Sequence, residues 1–318
     1  MYKKVFFYFL FFILVFFSCK EEAEINVPEV PKKLVVSSIF SPDSTFKVQL
    51  KESNAGNAFK KADMQLFSKG SLVGSLEHVS NGIYKIPEYS PTPGNEYRLH
   101  ITSNDHKTIT ASDYLPEPIP ILKITHTDSA GVNDIGNYYA TMNLTFTDPS
   151  EQANYYEIIV TSQIDTSTLE YNEPNIMDTS WLNHLKEDLV FQVQTVFSYD
   201  PIVQSRNADN MMKHSLVFND EQIDNKEYQL LVNYHPYYTH LSSIYAKHRK
   251  ITLYLRSISK NYYLYKKRLY HYNQYNSGSD ILKDPSEFVR LYSNIEDGYG
   301  LFAGYSVSKD SIIVTGKN

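Results

Sequence analysis

The stretch ADMQLFSKGSLVGSLEHVSNGIYKI (Ala62–Ile86) indicates the fold class, because it contains three short apolar runs separated by two turn signals. The turns are Lys69-Gly70 and Asn81-Gly82. A type I′ hairpin turn needs positive φ at both central residues, and Asn-Gly satisfies this readily. A run of strand, turn, strand, turn and strand predicts an antiparallel sheet.

The segments on either side repeat this pattern. Thr45–Glu52 (TFKVQLKE) alternates strictly and places Phe46, Val48 and Leu50 on one face. LVVSSIF upstream and NEYRLHI downstream are further strands. Short strands with a turn about every ten residues are typical of a β-sandwich. We therefore expect an N-terminal β-sandwich domain, Ig/fibronectin-like, over residues 34–117.

Prolines at 116, 118 and 120 break the pattern, and a second β-sandwich domain is expected over residues 118–318. It carries a long insertion near 165–213, with a possible helix near Thr179–Leu189. SLVFNDEQIDNKEYQLLVNY (Ser215–Tyr234) predicts a hairpin. FVRLYSNI, LFAGYSV and DSIIVTG predict three closing strands. The fold class is thus mainly β.

A helix interrupts the second domain near 260–276. In that segment Tyr262, Tyr265, Leu269 and Tyr272 recur at intervals of three and four, which is the helical period. Ser259 is the predicted N-cap.

The N-terminus predicts a secreted, lipidated protein. Val5–Phe17 is uncharged and follows two lysines, but it is shorter than the roughly twenty residues of a membrane-spanning helix. Residues 1–18 therefore form a predicted signal peptide. Ser18 precedes Cys19, the one cysteine of the chain, which is the predicted lipid attachment site. Residues 19–33 form a lipidated tether to the membrane.

Composition limits the partners. Removal of the signal leaves 28 basic and 36 acidic residues, a formal net charge of −8, so nucleic acid is not an expected partner. Acylation of Cys19 leaves no thiol for a disulfide bond. The fold must therefore be stabilised by its hydrophobic core.

Glycines in DGYGLFAGY (Asp297–Tyr305) suggest a nucleotide-binding loop, but the context is wrong. A dinucleotide loop lies between a strand and a helix, whereas these glycines lie among the closing strands. Gly298, Gly300 and Gly304 are therefore predicted to have a structural role in a turn.

Metal and catalytic motifs are not recognisable in the sequence. His235 and His240 flank a proline and lack helical ligand spacing. Asp220, Glu221 and Asp224 share a turn without the loop of a calcium site. No Gly-x-Ser-x-Gly elbow is present. We expect no metal, no cofactor and no enzymatic activity.

The tail DPSEFVRLYSNIEDGYGLFAGYS resembles the Bacteroidetes outer-membrane lipoprotein family known as domain of unknown function 4249. The chain departs from the family pattern at Phe288, where proline is usual, and at Ala303, where glycine is usual. The matching residues are Asp284, Pro285, Glu287, Ser293, Asn294, Ile295, Gly298, Gly300 and Phe302. Lys20, Glu21 and Glu22 also resemble the surface-export signal of Bacteroidetes lipoproteins.

The resemblance implies a surface-exposed outer-membrane lipoprotein, anchored by lipid. Its expected role is an accessory binding or scaffold partner of an outer-membrane β-barrel protein, a TonB-dependent transporter. The alternative is a structural subunit of a larger secretion or barrel-assembly complex. A surface hydrolase is a third class, but it needs converging carboxylates or a Ser-His pair, which the sequence does not show.

Overall fold

The structure, a computed structural model, describes residues 32–53, 58–59, 61–133, 136–150, 152–164, 169–171, 191–203, 213–236, 244–246, 248–277 and 290–315. The chain divides into two compact units, Met1–Lys32 and Lys33–Asn318. The predicted signal peptide and the helix near Thr179–Leu189 lie outside the described residues. The elements below all belong to the Lys33–Asn318 unit.

The fold is mainly β, as the alternating apolar pattern predicts. The first seven strands are β1 (Leu34–Phe40), β2 (Lys47–Glu52), β3 (Asp63–Ser68), β4 (Ser71–Ser80), β5 (Ile83–Lys85), β6 (Asn95–Thr102) and β7 (Ile109–Leu115). They are hydrogen-bonded in the order β1-β2-β5-β4-β3-β6-β7. Both predicted tight turns have positive φ at their central residues: Lys69 (50°) with Gly70 (78°), and Asn81 (48°) with Gly82 (73°).

The remaining strands are β8 (Ile121–Val132), β9 (Tyr138–Thr147), β10 (Tyr155–Ile164), β11 (Leu169–Tyr171), β12 (Phe191–Val193), β13 (Val196–Phe197), β14 (Leu216–Asn219), β15 (Glu227–Tyr234), β16 (Ile244–Ala246), β17 (His248–Ile258) and β18 (Tyr299–Thr315). Strands β12-β10-β17-β18 continue the first sheet through β1, and β14 pairs with β10. A second sheet has the order β13-β15-β9-β8, and β11 pairs with β16.

The last strand, β18, joins two groups of strands. Its first half pairs in parallel with β1, so that Gly300 lies opposite Val36. Its second half pairs antiparallel with β17, from Tyr305 opposite Ile258 to Thr315 opposite His248. The final strand of the chain therefore links the N-terminal strands to the C-terminal ones.

One predicted pairing and two predicted strand assignments differ from the structure. β14 and β15 do not form a hairpin with each other, because β14 pairs with β10 while β15 pairs with β9 in the other sheet. The connection between them buries Ile223 in the core between its two flanking strands, so it is longer than a tight hairpin turn. The expected strand FVRLYSNI has no strand structure over its described residues 290–295, and the next two predicted strands are one continuous strand, β18.

Buried apolar residues form two large clusters. The first contains residues between Leu34 and Leu115, together with Ile295 from the segment before β18 and Phe302 from β18. Phe40 contacts Phe302 there with ring centroids 4.8 Å apart. The second cluster contains residues between Ile119 and Val314. The domain boundary placed near residue 117 remains a prediction.

Helix α1 (Lys260–Ser277) confirms the predicted helix. The hydroxyl of Ser259 accepts a hydrogen bond from the N–H of Tyr262 at 3.2 Å, as an N-cap residue does. Tyr262 packs with Ile258, Leu301 and Ala303 in a third, smaller cluster. Among the described residues, no helix has the length and apolar character needed to cross a bilayer.

Candidate functional site

A groove lies on the solvent face of the β3–β6–β7 sheet. Strand alternation creates it, since Met64 and Leu66 of β3 point into the core while Gln65 and Phe67 point outward. On β6 the outward residues pair in register with these, with His100 opposite Gln65 and Arg98 opposite Phe67. The first depression has a volume of 640 Å³ and is lined by Gln65, Phe67, Lys69, Gly70, Glu96, Arg98 and His100.

A second depression of 350 Å³ adjoins the first, because Glu96 and Arg98 line both. It extends over β7 to the N-terminal end of α1 and to the tail segment before β18. Its lining residues are Glu96, Arg98, Thr110, Ala111, Ser112, Asn261, Asn294 and Glu296. We call the two depressions together the β6 groove.

The polar side chains at the centre of the β6 groove are not engaged with the rest of the protein. Within the described part of the chain, the side chains of Gln65, Glu96, Arg98 and His100 make no hydrogen bond or ion pair. The ring of Phe67 contacts no other aromatic ring described in the structure. Planar groups that face a concave surface without internal partners are free to bind a ligand.

The tail segment closes one side of the groove and fixes the edge of β7. Asn294 acts like a piece of backbone: its Nδ2 donates to the carbonyl of Phe302 at 2.7 Å, and its Oδ1 accepts from the N–H of Phe302 at 3.0 Å. The N–H of Glu296 donates to the carbonyl of Thr110 at 2.9 Å, and the Thr110 hydroxyl donates to the Glu296 carboxylate. The tail is therefore held by hydrogen bonds along β7.

Asp113 lies beneath this region and links three elements. Its carboxylate accepts hydrogen bonds from Asn261 Nδ2 at 2.8 Å and from the N–H of Gly304 at 2.9 Å. The hydroxyl of Tyr292 donates to Asn261 Oδ1 at 2.6 Å. Burial raises the pKa of Asp113 to about 6, although hydrogen bonds from Ser259, Gly304 and Asn261 oppose this rise. The buried carboxyl group of Asp113 on β7 is therefore hydrogen-bonded to both α1 and β18.

The three glycines predicted to shape a turn do not all lie in one, because Gly298 precedes β18 whereas Gly300 and Gly304 lie within that strand. A Cβ on Gly300, whose φ is +115°, would lie 1.8 Å from the carbonyl oxygen of Val36. A Cβ on Gly298 would lie 2.9 Å from Ile295 and 3.0 Å from the carbonyl oxygen of Leu34. One on Gly304 would approach Phe40 and the backbone of β7 at 2.9–3.0 Å. These close contacts explain why each of the three positions holds a glycine.

A buried carboxylate holds α1 against the sheet. Glu157 of β10 is fully buried, and it lies 2.9 Å from Arg256 and 2.6 Å from Lys266 of α1. Burial alone would raise the pKa of Glu157, but the charges of Lys266 and Arg256 outweigh it and hold that pKa below its usual value. The guanidinium of Arg256 also lies over the ring of Tyr305, 4.5 Å from its centroid.

An acidic cluster contains Asp148 with Asp220 and Asp224, rather than Glu221. One carboxylate oxygen from each lies within 4.8 Å of the others, an arrangement that could hold a metal ion. However, the Asp148 carboxylate already accepts hydrogen bonds from the Tyr156 hydroxyl and from the N–H of Asn225 at 3.2 Å. Burial raises the pKa of Asp148, and the neighbouring acidic charges add to the rise. The cluster therefore braces the turn between β14 and β15.

Other predicted site residues are not placed together. Cys19, Lys20, Glu21 and Glu22 lie outside the described residues, as do His240 and Asp284. His235 stacks on Phe197 with ring centroids 5.2 Å apart, and its Nδ1 lies 3.1 Å from the carbonyl oxygen of Tyr138. In the described ranges, His235 is not part of any group that could hold a metal ion.

Asp113, Glu157 and the β6 groove are not among the sites that the sequence predicts. The first two carried a signal, because Asp113 falls on the inward phase of ITASDYL and Glu157 interrupts the apolar run YYEIIV. A charged residue at an inward position requires a partner. The groove carried no such signal, since Arg98 and Phe67 meet only through the pairing of β3 with β6.

Comparison with known proteins found a match to one family, described as Domain of unknown function (DUF4249), over residues 20–311. No curated protein matches the chain. Among solved structures, similarity was found to the native conformation of E. coli alpha-2-macroglobulin, at 10% identity and a TM-score of 0.21. That similarity covers 73% of this chain but only 13% of the macroglobulin, and it carries no functional argument.

Proposed function

We propose, from the premise that the chain belongs to the DUF4249 family, that this protein is a surface-exposed outer-membrane lipoprotein acting as a non-catalytic binding partner of a TonB-dependent transporter. The observation that carries the proposal is Cys19, the one cysteine of the chain, placed at the end of a signal-like segment. The family match begins at Lys20, the residue that follows it.

The anchor sets the location of the protein. A lipid with several acyl chains on Cys19 attaches a protein stably, whereas one chain alone binds a membrane only marginally. Residues 20–33 then link the lipid to the unit that begins at Lys33. The Lys20-Glu21-Glu22 segment is the proposed signal that sends the protein to the outer face of the membrane.

The architecture suits binding better than catalysis. The described strands form extended sheets around two apolar clusters, which makes a rigid scaffold. The β6 groove offers unengaged polar side chains and one free aromatic ring. Its lining contains one described hydroxyl–carboxylate pair, Thr110 with Glu296, and this pair lies where the Glu296 backbone bonds to Thr110 and holds the segment before β18 against β7. Its lining provides groups that bind and orient a partner or ligand.

Metabolic labelling with a fatty-acid analogue tests the proposal at its anchor. Wild-type protein is expected to incorporate the label and to sediment with the outer membrane. Cys19→Ala is expected to lose both properties, because acylation needs the thiol. Ser18→Ala is the matched control, since it keeps a small residue before Cys19 and should be labelled normally. Label in Cys19→Ala equal to that in wild type would refute the proposal.

A further inference from the structure

The β6 groove is a ligand site that can be assigned a chemical class. We propose that it binds a neutral oligosaccharide, through stacking on Phe67 and hydrogen bonds to Arg98 and the polar side chains beside it. This proposal does not depend on the transporter partnership, because every lining residue belongs to the Lys33–Asn318 unit.

The charge of the lining favours an uncharged ligand. Two cationic side chains, Lys69 and Arg98, are matched by two carboxylates, Glu96 and Glu296. An anionic ligand along the groove would face both carboxylates, and a cationic one would face both cations. A neutral ligand rich in hydroxyl groups can instead donate to the carboxylates and accept from the guanidinium.

The shapes of the binding groups fit a sugar. Guanidinium, carboxylate, imidazole and amide groups are planar and present two or more hydrogen-bonding atoms in one plane. They suit the neighbouring hydroxyls of a sugar ring. Phe67 adds an apolar ring beside Arg98, on which the C–H face of a sugar can stack. The combination of one free ring with unengaged planar polar groups is the feature that points to a carbohydrate.

The hydrogen bonding of the strands disfavours an extended peptide. Peptides that add to a sheet bond to the backbone of an exposed strand edge. β6 is paired on both sides, with β3 and with β7. On β7 the carbonyl of Thr110 accepts from Glu296, and that of Ser112 is approached by Asn261 and Asn294 at 3.4 Å. The ligand must therefore lie on the sheet face and contact side chains.

The groove also has room for more than one sugar unit. The two depressions measure 640 and 350 Å³ and join at Glu96 and Arg98. Small-molecule sites commonly occupy about 300–1,000 Å³. The joined shape runs from the Lys69-Gly70 turn to the tail, so a chain of sugars fits its length better than a single one.

The test uses the full-length lipoprotein in a detergent without a sugar headgroup. The protein is applied to an array of neutral glucan, xylan, mannan and galactan oligosaccharides, with acidic uronan oligosaccharides and unmodified peptides beside them. Binding to a neutral oligosaccharide is expected, and its affinity is then measured by calorimetry. Binding only to acidic oligosaccharides, only to peptides or to nothing overturns the proposal.

Two substitutions locate the binding site. Phe67→Ala and Arg98→Ala are each expected to weaken the measured affinity about tenfold or more, with little change in the melting temperature. Phe191→Ala and Arg268→Ala are matched controls, since both side chains are exposed and lie on other elements. If each groove variant binds neutral sugar as tightly as the wild type, the binding site does not lie in the β6 groove.

Discussion

Lys266 Nζ lies 2.6 Å from Glu157 Oε1, and this contact ties helix α1 to strand β10. Arg256 of β17 reaches the other carboxylate oxygen at 2.9 Å. Glu157 is fully buried, whereas the two cationic side chains keep 18% and 24% of their surface exposed. One buried negative charge thus pairs with two positive charges, and its removal leaves both cations without a counter-charge at this site.

Glu157→Gln is expected to lower the free energy of unfolding by about 3 kcal/mol or more, because breaking a buried ion pair leaves uncompensated charge. Urea denaturation at neutral pH measures the change. Asp297→Asn is the control, since Asp297 pairs with Lys107 while both are largely exposed, and the expected loss is below about 1 kcal/mol. Equal losses in the two variants would contradict the role assigned to Glu157.

Gly300→Ala is expected to lower the free energy of unfolding by at least about 2 kcal/mol. The residue has a φ of +115°, and an added Cβ would lie 1.8 Å from the carbonyl oxygen of Val36. Gly70→Ala is the matched control, because Gly70 also has positive φ but nothing within 4 Å of an added Cβ. It should lose only about 1 kcal/mol. Similar losses would show that the clash with β1 is unimportant.

Thermal melts with ATP and with NAD test the other interpretation of the same glycines. A purely structural role of these glycines predicts that neither nucleotide changes the melting temperature of the wild type. A saturable increase in the wild type that Gly300→Ala lacks would restore the nucleotide-loop interpretation.

Asp113 is expected to make stability depend on pH. Its pKa is about 6 in the folded protein and 3.8 ordinarily, so the folded state favours the protonated acid. This contribution to stability is fully present below about pH 4 and is lost as the pH rises through about 6. The free energy of unfolding falls by about 3 kcal/mol at most as this contribution is lost. Urea denaturation measures the free energy of unfolding across this pH range. Its slope against pH should lack this contribution in Asp113→Asn.

Asp43→Asn is the control for that measurement, since it makes the same chemical change at an exposed position. An unchanged slope in Asp113→Asn would contradict the assignment. The variant is compared with the wild type because Glu157 also makes stability depend on pH. The pKa of Glu157 is lowered, so its contribution to stability is lost as the pH falls.

Local patterns in the sequence predicted much of the fold, and long-range pairing explains the rest. Phe46, Val48 and Leu50 alternate, and all three are fully buried. Ser259 caps α1 as its position predicts. By contrast, the pairing of β18 with β1 joins segments more than 250 residues apart, and no local pattern encodes it.

The same limit applies to the candidate site. Arg98 and Phe67 each look like ordinary outward residues of a strand, and only the register of β3 with β6 brings them together. Asn294 belongs to the family motif, but its two hydrogen bonds to Phe302 form only in the folded chain. Binding sites built across strands therefore need the tertiary structure.

Substitution of Lys20, Glu21 and Glu22 by alanine is expected to keep the lipid anchor but leave the protein facing the periplasm. Protease treatment of intact cells measures this, because only exterior protein is cut. A Glu24→Ala/Glu29→Ala variant is the control, since it also removes acidic charge from the tether. If the triple variant is cut as readily as wild type, the export role of this segment is wrong.

Affinity purification from detergent-solubilised outer membranes tests most directly the central claim, which is the proposal that this protein binds a TonB-dependent transporter. Mass spectrometry of the purified wild type, compared with Cys19→Ala, is expected to show a TonB-dependent transporter enriched with the anchored protein. Enrichment of secretion or barrel-assembly components without a transporter, or of no outer-membrane protein at all, would contradict the claim.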